Sequence, residues 1–140
     1  KVLLGGIGVL RDLPAGVDAV VSLCRLADDD VRDDMPHVEV RLIDRPEIDE
    51  NSHLDFVLTD AVRAVERLRD EGRTVLLHCV GAYSRTPTVA ALYGARRSGI
   101  STKQALRDVQ SVLPRAHPNP AFRAALERLD PKNHRGEVDR

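Results

Sequence analysis

The run His78-Cys79-Val80-Gly81-Ala82-Tyr83-Ser84-Arg85-Thr86 places a thiol and a guanidinium six positions apart, with an imidazole beside the one and a hydroxyl beside the other. A cysteine is nucleophilic as its thiolate. An arginine presents a planar fork of donors that fits two oxygens of a phosphate. The intervening positions Val80, Gly81, Ala82, Tyr83 and Ser84 carry no charge. The segment follows the apolar run Thr74–His78, and Pro87 suits the first turn of a helix after it. At such a strand–loop–helix junction the loop N–H groups can converge on an anion, and the helix turns its positive end to the same point. The spacing therefore describes a site for a tetrahedral dianion, with Cys79 at its floor and Arg85 as its far wall. The same positive field favours the thiolate, placed for in-line attack on phosphorus. The Thr86 hydroxyl could stabilise that thiolate when it departs from a phosphoenzyme. A lone cysteine ending an apolar strand is ordinarily a small buried residue, and Cys24, with Asp30 at the same spacing, shows no such pattern. What distinguishes Cys79 is the whole constellation around it.

The elements that must position this loop can be read from periodicity. Val2–Gly6 is a short strand, and Val17–Cys24 is β-branched and apolar, as in a strand buried on both faces. The acidic run Asp28–Asp34 is a loop, and His37–Asp44 a third strand. From Leu54 the pattern turns helical: Leu54, Val57, Leu58, Ala61, Val62, Val65 and Leu68 form one stripe, closed by Gly72. Thr74–His78 is a buried strand, and Thr88–Gly99 continues the helix after the loop, with Arg96 and Arg97 near its negative end. Ser101 caps a third helix carrying Ala105, Leu106, Val109 and Leu113, ended by Pro114. Residues 116–120 are a linker, and 121–129 a last helix. The alternation predicts an α/β fold, a mostly parallel twisted sheet of about four to five strands flanked by helices. We expect one domain over 1–130 and a C-terminal tail over 131–140.

Composition narrows the function classes. Of 140 residues, 42% are apolar and 31% charged, but acids and bases nearly cancel to a net charge of -1. No basic excess suggests a nucleic-acid or membrane surface, and the longest apolar run falls far short of a membrane span. Two cysteines are not a disulfide framework. With no signal-peptide pattern at the start, the expectation is a soluble protein of a reducing, cytoplasmic compartment. Abundant Ala, Arg and Val with little Lys points to a GC-rich bacterial genome. His37, His53, His117 and His134 show no metal-ligand spacing and read as surface or loop residues, so neither a metal nor a cofactor is expected. Cys24 reads as a core residue.

HCVGAYSRTPT resembles the signature of the cysteine-dependent dual-specificity protein phosphatases, which is His-Cys, five residues, then Arg and Ser or Thr. The likeness spans nearly the chain. Val2–Cys24 resembles the family's opening strand pair, Val38–Asp44 the strand leading to its general-acid loop, and Pro114–Leu129 its closing Arg-x-x-Pro-Asn-Pro-x-Phe segment. The resemblance implies a phosphatase that forms phosphocysteine on Cys79, hydrolyses it with water and needs no metal. Arg85 would clamp phosphate, His78 would help keep the thiolate ionised, and Thr86 takes the hydroxyl position. Asn119 would brace the phosphate loop. The family's general acid is an aspartate on a mobile loop upstream of the cysteine. Asp44, at the end of an apolar strand, is placed where that loop starts, with Asp49 and Asp55 as competitors and His53 in the same region. Some phosphatases of the superfamily pair the catalytic cysteine with a second one under oxidation, a role open to Cys24.

One feature departs from the family. Members usually have glycine at the third position after the cysteine, where this chain reads Gly81-Ala82, and an alanine in left-handed geometry costs about 1 kcal/mol. The expected substrate is a phosphorylated protein or small phosphomonoester: phosphotyrosine, with phosphoserine and phosphothreonine open, since nothing deepens the pocket and no lysine in the loop favours polyphosphates. Two other readings stay open. One is a phosphate-binding interaction module with little turnover, and the other a phosphatase of an inositol, sugar or RNA 5′-phosphate. Rhodanese-like sulfur transfer leaves the Arg85-Thr86 helix opening unexplained.

Overall fold

The computed structural model describes residues 1–26, 31–32, 34–44 and 53–134, the side chain of His134 apart. Four parallel strands form its sheet: β1 (Val2–Gly5), β2 (Ala19–Ser22), β3 (His37–Glu39) and β4 (Val75–His78), in the order β1-β4-β2-β3. The helices are α1 (Leu54–Asp70), α2 (Arg85–Ser98), α3 (Thr102–Val112) and α4 (Pro120–Arg128). Strand β4 lies between β1 and β2, and His78 stands level with Gly5 on one side and Ser22 on the other. Whatever follows β4 therefore leaves from the middle of the sheet, at the carboxyl ends of its strands, where open α/β sheets bind ligands.

Burial follows the two-residue strand period. Ala19, Val21, Val75 and Leu77 face one cluster with Leu58, Val62 and Val65 of α1, Val89 and Leu92 of α2, Ala105 of α3 and Phe122 of α4. Val20 and Leu76 face the other way, towards Val9, Leu10, Leu13 and Met35. All four α-helices thus contribute to one core, whereas the opposite face of the sheet is covered by the 3-10 helix Ile7–Arg11 and neighbouring loops.

The helix ends are those the residues dictate. Gly72, at φ +81°, closes α1 while Arg73 N–H donates to the Leu68 carbonyl. The Ser101 hydroxyl accepts from Gln104 N–H at 3.1 Å to start α3. Arg96 does not cap α2: both its Nε and Nη2 donate to Glu66 of α1 at 3.1 Å. Strand β3 is shorter than the run His37–Asp44 suggests. Its ladder stops at Glu39, and beyond it Val40 N–H donates to the Ser22 carbonyl and Leu42 N–H to the Leu23 carbonyl. The Leu42 carbonyl is taken by Arg85, and Leu42 itself is buried in the helix-side core. Pro131–His134 forms a 3-10 turn, held by Asn133 Nδ2 on the Glu127 carbonyl. Residues 135–140, and 28–30 and 33 of the acidic run, lie outside the described residues.

Candidate active site

Cys79 is the first residue past β4, Arg85 the first of α2, and the loop between them is fixed by partners from distant parts of the chain. Four of its carbonyls are engaged. The Cys79 carbonyl meets His78 Nδ1 at 3.3 Å, and that of Val80 accepts from Ile7 N–H at 3.0 Å. The Tyr83 carbonyl accepts from His117 N–H at 2.6 Å, and that of Ser84 from Thr88, through N–H at 3.1 Å and Oγ1 at 2.7 Å. In a planar trans peptide the C=O and the next N–H point in opposite directions. Fixing these carbonyls therefore turns the N–H groups of Val80, Gly81, Ser84 and Arg85 away from those partners, and none of the four donates to a backbone carbonyl in the loop contacts. Ala82 N–H donates to Cys79 Sγ at 3.2 Å. An N–H donated to a thiol sulfur at the N-terminus of a helix, beside loop N–H groups without backbone partners among the described residues, is an arrangement that can receive an anion.

The side chains extend the same arrangement. Arg85 Nη1 donates to the Leu42 carbonyl at 3.0 Å and lies 3.5 Å from that of Leu23, so the guanidinium is braced against both neighbouring chain segments. Its Nε and the Thr86 hydroxyl are buried and have no hydrogen-bond partner among the described residues. A buried donor left unpaired costs about 1–3 kcal/mol, so two of them at adjacent positions mark a place built for another polar group. Val80 and Tyr83 are about half exposed (54% and 50%) and form an apolar rim on the loop.

Asn119 connects three parts of the site. Its N–H donates to Ser84 Oγ at 3.0 Å, its Oδ1 accepts from Phe122 N–H at 2.9 Å as the cap of α4, and its Nδ2 donates to Asp44 Oδ1 at 3.0 Å. Asp44 is thus tied to the phosphate loop through one residue. Asp55 is engaged elsewhere: Arg128 Nη2 and Nε meet its carboxylate at 2.7 and 2.9 Å, and this pairing holds Asp55 below the usual aspartate range. Asp49 lies outside the described residues. Cys24 is a buried thiol two positions past the end of β2, at the same end of the sheet as Cys79. His53 stands exposed at the start of α1, and His117 Nδ1 is 2.9 Å from Arg123 Nη2. Among the described residues no group of three or more His, Cys, Asp and Glu side chains is gathered as a metal site requires, and no helix is long and apolar enough to cross a membrane.

The structure also settles which loop residue bears the unusual backbone. Ala82, not Gly81, has positive φ, at +62°. Gly81 is needed for a different reason, because a Cβ there would meet the Tyr83 ring at 2.8 Å. Three supporting residues had no role at the site in the sequence reading. A Cβ on Gly6 would lie 2.7 Å from the Val80 carbonyl oxygen, so the end of β1 can approach the loop only as glycine; the Gly5-Gly6 pair was its signal. Ser22, hydrogen-bonded to both His37 and His78, and His37, which reaches His78 only through that hydroxyl, gave none, because their partners are remote in sequence.

The architecture is shared with known structures. A crystal structure of human DUSP28 superposes with a TM-score of 0.78 at 24% identity, covering 97% of this chain and 94% of that one. Residues 15–130 match the catalytic domain of dual specificity phosphatases, and the chain belongs to that family. Dual specificity protein phosphatase 1 of Arabidopsis thaliana is 31% identical over 98 residues, 70% of this chain and 48% of its own length. Dual specificity protein phosphatase 15 of Rattus norvegicus is 29% identical over 94 residues, 67% of this chain and 38% of its own. The chain thus spans half or less of the length of these curated relatives.

Proposed function

We propose that this chain hydrolyses phosphomonoesters, phosphotyrosine foremost and phosphoserine or phosphothreonine as well, without a metal and through a phosphocysteine on Cys79. The observation that carries the reading is the pair of buried groups without a partner among the described residues, Arg85 Nε and Thr86 Oγ1, next to a loop in which four carbonyls are held by partners outside the turn from Gly81 to Ala82. In the first step Cys79 Sγ forms a bond to phosphorus as the bond to the leaving oxygen breaks, and Asp44 gives that oxygen a proton. In the second, water attacks phosphorus with Asp44 taking its proton, the P–S bond breaks, and the Thr86 hydroxyl receives the thiolate. Arg85 and the loop N–H groups hold the three equatorial oxygens throughout. The apolar rim of Val80 and Tyr83 favours an aryl leaving group.

In this reading residues 1–130 are the catalytic unit, 131–140 a C-terminal tail, and the setting a reducing cytoplasm. Peroxide would convert Cys79 to a sulfenic acid with loss of water, and the Cys24 thiol would then attack its sulfur, the S–O bond breaking and the hydroxyl leaving as water, to give a disulfide. Mass spectrometry after mild peroxide checks this; a Cys79 sulfinate with Cys24 still reduced refutes it. The central test is hydrolysis of para-nitrophenyl phosphate in EDTA by this protein and by Cys79→Ser. Turnover abolished by the substitution is the expected result, followed by phosphopeptide, inositol phosphate, sugar phosphate and RNA 5′-phosphate panels. Equal turnover by both proteins overturns the mechanism. Absence of turnover in both favours a phosphate-binding module, the reading to which the left-handed Ala82 lends its support.

A further inference from the structure

Behind Cys79 runs a chain of hydrogen bonds that the reaction as written does not use. The Ser22 hydroxyl lies 2.6 Å from His78 Nε2 and 2.8 Å from His37 Nε2. Ser22 and His78 are wholly buried, whereas His37, at the start of the edge strand β3, is exposed. A hydroxyl has a single proton, so it can donate to only one of two imidazoles, and the other must donate to it. The direction of the chain follows from its inner end. The Cys79 carbonyl can only accept, so its contact with His78 Nδ1 requires an N–H on that nitrogen. In neutral His78 the proton on Nδ1 leaves Nε2 as an acceptor, which takes the Ser22 O–H. The Ser22 oxygen then offers His37 only a lone pair, and His37 must present Nε2–H.

We propose that His37 is a positioning residue for Cys79: by donating to Ser22 it orients the hydroxyl towards His78, holds that ring as an Nδ1–H donor, and so fixes the Cys79–Val80 peptide in the orientation the cradle needs. The peptide is the physical link. Its carbonyl is held by His78, so Val80 N–H is held pointing the opposite way. Without a donor at position 37, the Ser22 hydroxyl is held by His78 alone, and neutral His78 exchanges more readily to the Nε2–H tautomer with Ser22 as acceptor. Nδ1 would then face the Cys79 carbonyl lone pair to lone pair, which turns that peptide. Burial pushes His37 below the ordinary histidine range, with Glu39 opposing. The ring is therefore neutral at neutral pH, and which nitrogen carries its proton is set by Ser22.

The inference rests on Cys79 being the reacting group, and its test does not need turnover. The quantity to measure is the rate at which iodoacetamide alkylates Cys79 at neutral pH, read on the Cys79 peptide by mass spectrometry so that Cys24 does not interfere. His37→Leu should slow it by about three- to tenfold, the worth of one hydrogen bond. His37→Gln, whose amide can still donate to Ser22, should recover most of that loss. Ser22→Ala should slow alkylation at least as much as His37→Leu, and the double variant should be no slower than Ser22→Ala, because His37 acts only through the hydroxyl. In the unaltered protein, nitrogen-15 chemical shifts should show neutral His78 protonated at Nδ1. A wild-type rate in His37→Leu, failure of His37→Gln to recover the loss, additive losses in the double variant, or an Nε2–H tautomer at His78 each overturns the proposal. Lack of turnover with these dependences intact would remove the phosphatase reading and leave this one standing.

Discussion

Asn119 does two separable jobs, and substitutions can pull them apart. Its Oδ1 caps α4 and its Nδ2 holds Asp44. Serine accepts from the N–H groups of a helix start as well as asparagine does, but it has no amide to reach Asp44. Alanine can do neither. Loss of the cap costs about 1 kcal/mol, which for a domain of this size lowers Tm by about 3–5 °C. Loss of the bond to Asp44 leaves the fold intact and frees the carboxyl to move, worth about 0.5–1.5 kcal/mol, or about three- to tenfold in a step that needs its proton. Asn119→Ser should therefore keep Tm within about 1 °C of the parent, while kcat on phenyl phosphate falls by about three- to tenfold. Asn119→Ala should show the same kcat loss and the lower Tm as well. On para-nitrophenyl phosphate, whose leaving group needs little protonation, kcat should change by less than about twofold in either variant. Thermal denaturation followed by circular dichroism and steady-state kinetics on the two esters give all the numbers. If the kcat loss follows Tm, so that the serine variant is indistinguishable from the parent on phenyl phosphate, Asn119 is only a cap and the link to Asp44 carries no chemistry.

Further outcomes follow from single contacts. Thr86→Val removes a buried, unpartnered hydroxyl; stability should hold or rise by about 1 kcal/mol, while phosphoenzyme breakdown slows and a burst appears in stopped-flow assays. Gly6→Ala brings a methyl against the Val80 carbonyl and should cut kcat/KM by more than about tenfold, as a displaced site does, with chemical-shift changes centred on the loop. Asp55, held below its ordinary range by Arg128, contributes stability that is present above the unfolded-state value and lost as pH falls through the folded-state one. The Tm gap between the parent and Asp55→Asn should therefore be largest near neutrality, vanish in acid below the ordinary aspartate range, and shrink in high salt.

Where the sequence was informative, the reason was local. β4 and the four helices announced themselves through apolar periodicity and caps, and the placement of Cys79, Arg85 and Thr86 at one strand–loop–helix junction through spacing, because a strand, a loop and the first turn of a helix are contiguous. The short β3 was not legible, since Val40 to Leu42 keep a strand-like pattern while the Leu42 carbonyl serves Arg85 rather than a ladder. Nor was the conformation of the loop. The order Gly81-Ala82 leaves open whether Ala82 bears a left-handed backbone or Gly81 reshapes the loop; the positive φ falls on Ala82, and Gly81 makes room for the Tyr83 ring. His37 read as a surface histidine and is indeed exposed, but its Nε2 reaches inward to Ser22, a contact across strands that no pattern along one strand reveals.

The supports of the phosphate loop are spread over the whole length of the chain. Ile7, near the start, holds Val80, while His117 and Asn119, more than thirty residues after Cys79, hold Tyr83 and Ser84. During synthesis the loop stays unbraced on one side until the segment before α4 has emerged and docked. A chain cut short ahead of His117 would lose the contacts that hold Tyr83 and Ser84, and with them Phe122 of the core.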